Sequence, residues 1–258
     1  MSLQLGSALK RGATQLFSRS GAVIVLAYAV TMLVYQLSFN TLLQPAIAGL
    51  TPPGAEAPST GLVTLPVPGA VAGGLLALSL VVVTVVGVVA VRTFVARERG
   101  QIPRRFLTER LPFAVVNLFV GGVAFLLVVL VGSVLLVVPG IIAYISLIFM
   151  VQFVAVENVN FVTAMRRSWR LTRGNWIRLF VLLAILVAMI FAVTFVFNFG
   201  VGLALGSAGA GLAGIAVAMV NVLTTLYRLA VLSDAFVQLR DGESSTQGPR
   251  PTTDALGA

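Results

Sequence analysis

Residues 157–178 read ENVNFVTAMRRSWRLTRGNWIR and lie between two long apolar stretches of the chain. Within this segment the large apolar side chains recur at the spacing of one helical face, at Phe161, Val162, Met165 and Trp169. A neighbouring stripe carries positive charge at Arg166, Arg170 and Arg173. An amphipathic helix with a basic stripe is typical of a segment that lies on a membrane surface. The segment therefore predicts that the flanking apolar stretches cross a bilayer.

The composition places the whole chain in the membrane class. Of its 258 residues 59% are hydrophobic and only 10% are charged, whereas a soluble domain carries about a quarter charged residues. The chain contains neither His nor Cys, which removes the commonest general base, thiolate nucleophiles and two common metal ligands. We therefore expect a non-enzymatic protein without catalytic residues, a cofactor or a metal site.

Six apolar stretches predict transmembrane helices, because about 20 apolar residues at 1.5 Å each cross the roughly 30 Å hydrocarbon core. They cover about residues 21–42, 70–94, 112–138, 141–156, 176–199 and 212–236. The first stretch is too long for a signal peptide, whose apolar region has about 7–15 residues. The predicted fold class is an all-α integral membrane protein, with six transmembrane helices as three hairpins and basic amphipathic interfacial helices on the inner side. This membrane domain fills residues 1–236, and residues 237–258 form a disordered polar cytoplasmic tail.

The boundaries of the third and fourth helices depend on proline and glycine. No charged residue occurs between residues 111 and 156, a run too long for one helix. Pro112 suits the first turn of the third helix, and Pro139-Gly140 predicts the turn to the fourth. Because the fourth stretch is short, a re-entrant pair that does not cross fully is the alternative.

The proline-rich residues 44–69 predict an outer loop of extended backbone.

The charges predict one orientation. The chain carries 17 Lys and Arg residues and a net charge of +9, and none of the basic residues falls in a predicted outer loop. By the positive-inside rule both termini are cytoplasmic, and the protein is a multi-pass protein of the cytoplasmic membrane. The expected partner of this charge is the anionic inner leaflet, not a nucleic acid. Arg92, at the end of the second helix, is expected to snorkel to the inner interface.

The arginines of segment 157–178 are the candidate contacts to lipid headgroups: Arg166, Arg167, Arg170, Arg173 and Arg178. Guanidinium groups bind phosphate through two parallel hydrogen bonds. Each basic residue near an anionic surface contributes about 1 kcal/mol, so five would hold the segment firmly on the membrane. The other interpretation is that the segment only determines topology and anchors the interface.

Polar residues inside the predicted spans are the remaining candidates: Asn117, Gln152, Asn198, Asn221 and Arg228. Most are expected to form hydrogen bonds between helices. Asn221 and Arg228 are seven residues apart and share a helical face, and Arg228 either snorkels inward or pairs with an acid such as Glu157.

Two functions of different classes follow. The leading hypothesis is a membrane scaffold or lipid-interacting accessory protein that serves an unidentified membrane-protein partner. The alternative is a transporter or permease for a small apolar or amphiphilic solute. A cavity that reaches the midplane and is lined by Asn117, Asn198 or Asn221 would favour the transporter, and a tightly packed bundle would favour the scaffold.

The same segment carries a resemblance. Its elements are Glu157 at the end of a span, Arg167-Ser168-Trp169, Leu171-Thr172 and Gly174-Asn175, followed by the next apolar helix. This pattern resembles a broad family of uncharacterised multi-helix membrane proteins with archaeal members, and the membrane domain attached to some glycerophosphodiester phosphodiesterases. The resemblance implies a six-helix bundle built from hairpins. It does not imply phosphodiesterase activity, which belongs to a separate soluble barrel domain with catalytic His residues.

Overall fold

The computed structural model describes residues 4–50, 63–205 and 210–246. The regular structure in these ranges is entirely helical. In chain order the elements are α1 (Leu5–Leu16), α2 (Arg19–Gly49), α3 (Gly69–Val95), α4 (Arg105–Thr108), α5 (Leu111–Leu135), α6 (Val137–Leu147), α7 (Met150–Glu157), α8 (Phe161–Thr172), α9 (Trp176–Leu205) and α10 (Ala210–Thr246). Six stretches are long and apolar enough to cross a membrane: α2, α3, α5, α6 together with α7, α9 and α10. The predicted fold class is confirmed.

The spans pack as neighbouring pairs, α2 with α3, α5 with α6 and α9 with α10. The last helix, α10, also packs on α1, α2 and α3. The ring of Phe236 on α10 lies 5.8 Å from the ring of Phe149 and 4.9 Å from that of Phe153. These aromatic contacts join the last span to the fourth.

The outward faces of the spans carry a broad belt of large apolar side chains, among them Val123, Leu126, Phe191 and Phe195. A soluble monomer rarely exposes so large an apolar surface. Inside a bilayer the same belt contacts lipid chains, so the burial pattern agrees with a multi-pass membrane protein.

The turn predicted at Pro139-Gly140 is wrong. The chain turns at Leu136, which is extended (φ −163°, ψ 144°), and α6 begins at Val137. Pro139 therefore lies in the first turn of α6, where its missing N–H costs no intrahelical hydrogen bond. A Cβ atom on Gly140 would lie 2.9 Å from Cα of Ser133 on α5. The glycine is thus required by the close approach of α5 and α6, not by a turn.

The fourth span is longer than predicted and is broken. It runs from Val138 to Glu157, 20 residues that suffice to cross the membrane by length and composition. Between α6 and α7 the helix is interrupted at Ile148 and Phe149. The run of apolar residues gave no sign of this break.

Three helix ends differ from the prediction. α2 continues through Pro45 to Gly49, past the end predicted near residue 42. α9 reaches Leu205, past residue 199. α10 ends at Thr246, so residues 237–246 are helical, which contradicts the tail predicted to begin at 237. The rest of that tail and most of the proline-rich loop lie outside the described residues.

The structure gathers the basic segments at one end of the bundle, which we call the basic end. It consists of α1, the connection from α3 to α5, α8 and the last turns of α10. Arg11 of α1 and Arg97 after α3 both contact Asp234 on α10. The predicted amphipathic helices α1 and α8 thus lie on the same end.

Candidate functional site

The buried guanidinium of Arg92 is one centre of the basic end. Its Nε donates to the carbonyl oxygen of Ala155 at 2.7 Å and its Nη1 to that of Phe106 at 2.8 Å. Its Nη2 donates to the carbonyl oxygen of Glu109 and to Oδ1 of Asn158, both at 2.9 Å. Because Arg92 is only 5% exposed, the expected snorkelling is wrong. The side chain instead joins the ends of α3 and α7 to α4 and to the residue that follows it.

The segment between α7 and α8 is shaped by two asparagines. Asn158 ends α7 in the left-handed conformation (φ 51°), which Asn tolerates better than most residues. Asn160 caps α8, because its Oδ1 accepts a hydrogen bond from the backbone N–H of Thr163 at 2.8 Å. Asn117 on α5 adds a second cap, since its Oδ1 accepts from the N–H of Phe161 at 3.0 Å.

Ser168 connects α8 to the break in the fourth span. Its hydroxyl donates to the carbonyl oxygen of Ser146 at 2.7 Å and accepts from the N–H of Phe149 at 3.2 Å. The hydroxyl of Thr172 lies 3.4 Å from the same carbonyl oxygen. Both side chains are buried together with Ala164 on this face of α8. The serine of the Arg167-Ser168-Trp169 part of the motif therefore has a structural role, because it attaches α8 to the fourth span.

Glu157 pairs with two arginines of the basic end. It forms a salt bridge with Arg167 on α8, and its other oxygen lies 3.5 Å from Nη1 of Arg240 on α10. The alternative pairing of Glu157 with Arg228 is wrong. Arg167, one of the five predicted lipid contacts, is engaged in holding α8 against α7.

Gly174 and Asn175 form the turn from α8 to α9. Gly174 has φ +88°, and the N–H of Asn175 donates to the carbonyl oxygen of Thr172 at 2.9 Å. With Arg173 at φ −59° and ψ 125° this is a type II turn, which requires a positive φ at its third residue. The carbonyl oxygen of Asn175 then accepts the first hydrogen bond of α9, from Leu179. The glycine of the motif is explained by backbone conformation.

The exposed surface of α8 is a groove of about 610 Å³, lined by Leu147, Met165, Arg166, Trp169 and Arg170. Trp169 is 42% exposed, and its ring meets that of Trp176 edge to face at 6.0 Å. In the described part of the chain neither Arg166 nor Arg170 forms an ion pair. This groove combines two guanidinium groups with apolar side chains. Arg173 and Arg178 are exposed outside it.

Asp234 is a second buried centre that the sequence did not indicate. It is 1% exposed, and its Oδ1 lies 3.1 Å from Nη2 of Arg97 and 3.6 Å from Nη1 of Arg11. Its Oδ2 accepts from Nε2 of Gln238 at 2.7 Å. In the sequence, an acid at the end of a span suggests a residue exposed at the membrane interface. The buried, structural role of Asp234 follows only from the partners that the fold brings to it.

A cavity of about 760 Å³ lies between α2, α3, α5, the fourth span and α10. Most of its lining is apolar, and its polar groups are Tyr28, Thr84, Tyr144, Gln152, Thr225 and Arg228. Gln152 is 1% exposed, and its Oε1 has no hydrogen-bond partner. Arg228 is exposed and forms no ion pair with any described residue.

The three asparagines expected to line a cavity do not line this one. Asn117 bonds to Phe113 of its own helix and to the start of α8. Asn198 donates to the carbonyl oxygen of Thr194 on its own helix. Asn221 is exposed. Of the candidates Asn117, Asn198, Asn221 and Arg228, only Arg228 lines this cavity. Gln152 lines the same cavity.

A family model described as a domain of unknown function (DUF7847) matches residues 3–239, which is most of the chain and includes the segment 157–178. No curated protein and no solved structure matches the chain. The match gives no connection to glycerophosphodiester phosphodiesterases or to archaeal members, so those parts of the resemblance stay predictions.

Proposed function

Since the chain belongs to the DUF7847 family, a domain of unknown function, we propose its role from its own geometry. The protein is a non-enzymatic membrane protein that binds anionic lipid at the groove of α8. It serves as a scaffold or lipid-interacting accessory for a membrane-protein partner. Its sequence, which has neither His nor Cys, supports a role without covalent chemistry.

The observation that carries this proposal is the pair of arginines beside an exposed tryptophan. Arg166 and Arg170 line the groove one helical turn apart, and Trp169 lines it next to them. Guanidinium groups bind phosphate oxygens bidentately, and tryptophan favours the depth of lipid headgroups. Met165 and Leu147 complete the groove with surface suited to an acyl chain.

The groove is held in place by contacts behind it. Ser168 and Thr172 fasten the buried face of α8 to the fourth span, and Arg167 is paired with Glu157. A rigid surface loses less conformational entropy when it binds a ligand. Because other side chains of α8 hold the helix in place, Arg166 and Arg170 are left to contact lipid. Arg173 and Arg178 lie outside the groove and act as weaker, peripheral charges.

The orientation belongs to the same proposal. The basic end faces the cytoplasm, both termini are cytoplasmic, and the lipid is the anionic inner leaflet of the cell membrane. The gathering of basic segments at one end of the bundle supports this orientation, because crossing the membrane with many cations is unfavourable.

The test compares two double variants of the full chain purified in neutral detergent. Arg166→Gln with Arg170→Gln removes the two charges of the groove. Arg99→Gln with Arg104→Gln removes two charges from the same end, at exposed side chains that form no ion pair with a described residue. Retained phosphatidylglycerol and phosphatidylcholine are counted by native mass spectrometry.

We expect the first pair of substitutions to weaken phosphatidylglycerol binding about tenfold or more, since each charged hydrogen bond contributes about 1.5–3 kcal/mol. The second pair should change it less than about threefold. Equal losses in both variants would mean a diffuse electrostatic attraction and would refute a site at α8. Binding of phosphatidylcholine is the reference for each variant.

The cavity between the spans favours the second candidate, a permease for an amphiphilic solute, because it offers space within the membrane. The asparagines expected to line such a space do not line it. Proteoliposomes that accelerate the transbilayer movement of a fluorescent fatty acid, compared with protein-free vesicles, would support this candidate.

A further inference from the structure

The cavity between α2, α3, α5, the fourth span and α10 contains a cation without an anion. Arg228 lines it and forms no ion pair with the described residues. A charged side chain within a span is costly unless it meets a partner or water. We propose that this cavity binds a single-chain amphiphile whose anionic headgroup contacts Arg228.

A second observation places a polar group of the ligand in the same cavity. Gln152 is buried from solvent to 1% exposure, and its Oε1 has no hydrogen-bond partner. Buried polar atoms in native proteins are nearly always satisfied. A headgroup hydroxyl, or a water held by the headgroup, supplies the missing donor. The two groups lie on neighbouring spans, α7 and α10, that line one cavity.

Arg228 and Gln152 lie at a depth in the membrane that a headgroup entering from the basic end can reach. Arg228 lies six residues before Asp234, about 9 Å along α10. Gln152 lies five residues before Glu157, about 8 Å along α7. Both distances are shorter than half of the roughly 30 Å hydrocarbon core. The headgroup therefore enters only part of the leaflet next to the basic end.

The remaining lining accepts a hydrocarbon chain. It includes the buried or partly buried Leu118, Phe125, Ile148 and Val151 from α5 and the fourth span. The volume of about 760 Å³ lies within the range of about 300–1,000 Å³ for sites that enclose a ligand of drug size. One chain with a small headgroup fits this size.

The inference does not rest on the groove of α8, because Arg228 and Gln152 are not among the residues that line that groove. The experiment uses the full chain in phosphatidylcholine nanodiscs. The probe is hexadecanoic acid with a photoreactive diazirine near the end of its chain, and labelled residues are located by mass spectrometry. The matching probe without charge is the corresponding hexadecanol.

For the wild-type protein we expect labels on cavity residues such as Ile148 and Val151, which do not belong to the outward belt, removed by excess unlabelled hexadecanoic acid. The alcohol should label these positions at least about tenfold more weakly, since it lacks the anion that Arg228 contacts. This comparison needs no variant. Equal labelling by acid and alcohol, or labels only on the outward faces of the spans, would overturn the proposal.

Two variants with matched controls test the residues. Arg228→Gln should weaken labelling by the acid about tenfold, whereas Arg178→Gln, at an exposed arginine outside the cavity, should leave it within about twofold.

Gly87→Leu should block labelling by filling the cavity, because an added Cβ there meets no atom within 4 Å. Gly73→Leu, on the same helix and equally free of neighbours within 4 Å, should not. Unchanged labelling of Arg228→Gln would overturn the role of the arginine.

Discussion

The hydroxyl of Ser168 bridges the broken fourth span, donating to the carbonyl oxygen of Ser146 at 2.7 Å and accepting from the N–H of Phe149 at 3.2 Å. In the membrane no water is available to satisfy backbone groups that a helix break leaves unpaired. The helix α8, which the sequence predicts as an interfacial helix, is therefore also a structural part of a membrane span.

We expect Ser168→Ala to lower the free energy of unfolding by about 1–3 kcal/mol, because it leaves buried backbone groups without partners. The measurement is thermal unfolding of the purified protein in a fixed detergent. Ser233→Ala is the matched control. Ser233 is equally buried, but its hydroxyl has no hydrogen-bond partner, so its removal should be neutral or stabilising. If both variants lose stability equally, the hydroxyl of Ser168 is not the cause.

Arg92→Lys should destabilise the protein by about 2 kcal/mol or more, although the charge is kept. The guanidinium holds four acceptors in different directions, and a lysine ammonium is a single point that cannot reproduce this fork. Arg99→Lys, at an exposed arginine, should change stability by less than about 0.5 kcal/mol. A lysine variant as stable as the wild type would contradict the role of Arg92 as a structural centre.

Asp234→Asn should loosen α1 from the bundle. The carboxylate faces Arg11 and Arg97, and both arginines are partly exposed, so they regain water and the loss stays near 1–2 kcal/mol. Hydrogen exchange of residues 5–16 should become faster, whereas exchange in α9 should not change. Glu98→Gln is the control, because it removes a nearby acid that forms no ion pair with a described residue. Unchanged exchange in α1 after Asp234→Asn would show that the ion pairs do not hold this helix.

Gly174→Ala should cost about 1–2 kcal/mol, because φ of +88° is strained for any residue with a Cβ atom. Gly73→Ala tests the same chemical change within a helix with open space around the added Cβ, and it should stabilise by up to about 1 kcal/mol. Thermal unfolding of the two variants should therefore shift in opposite directions. A Gly174→Ala variant that unfolds at the wild-type temperature would contradict the turn assigned to this motif.

Much of the fold was predictable from local properties. The number and approximate positions of the spans follow from apolar runs, and the placement of Pro112 at the start of α5 is confirmed. The predicted helix boundaries were less accurate where the local residues are compatible with both a helix and a loop. Pro139 indicated a turn, but a proline fits the first turn of a helix as well as a loop. The polar residues after 236 indicated a tail, yet α10 continues to Thr246.

The candidate sites were predictable only in part. The segment 157–178 was identified from its charge and periodicity, and the structure separates its arginines, with Arg167 paired to Glu157 and Arg166 and Arg170 in the groove. The cavity was not visible in the sequence, because Tyr28 and Gln152 come from distant spans. Single polar residues in apolar runs indicate that contacts exist, but not which helices supply them.

By itself the sequence determined that this chain is helical, that it has six spans and where its basic segments lie. These properties depend on the transfer of short stretches from water to lipid, which local composition decides. Only the tertiary structure decided which polar groups meet. Arg97 and Asp234 are 137 residues apart in the chain, and Ser168 reaches a break that no local signal marks. Such contacts depend on how the spans pack, because each buried polar group must find its partner among the neighbours that packing brings to it.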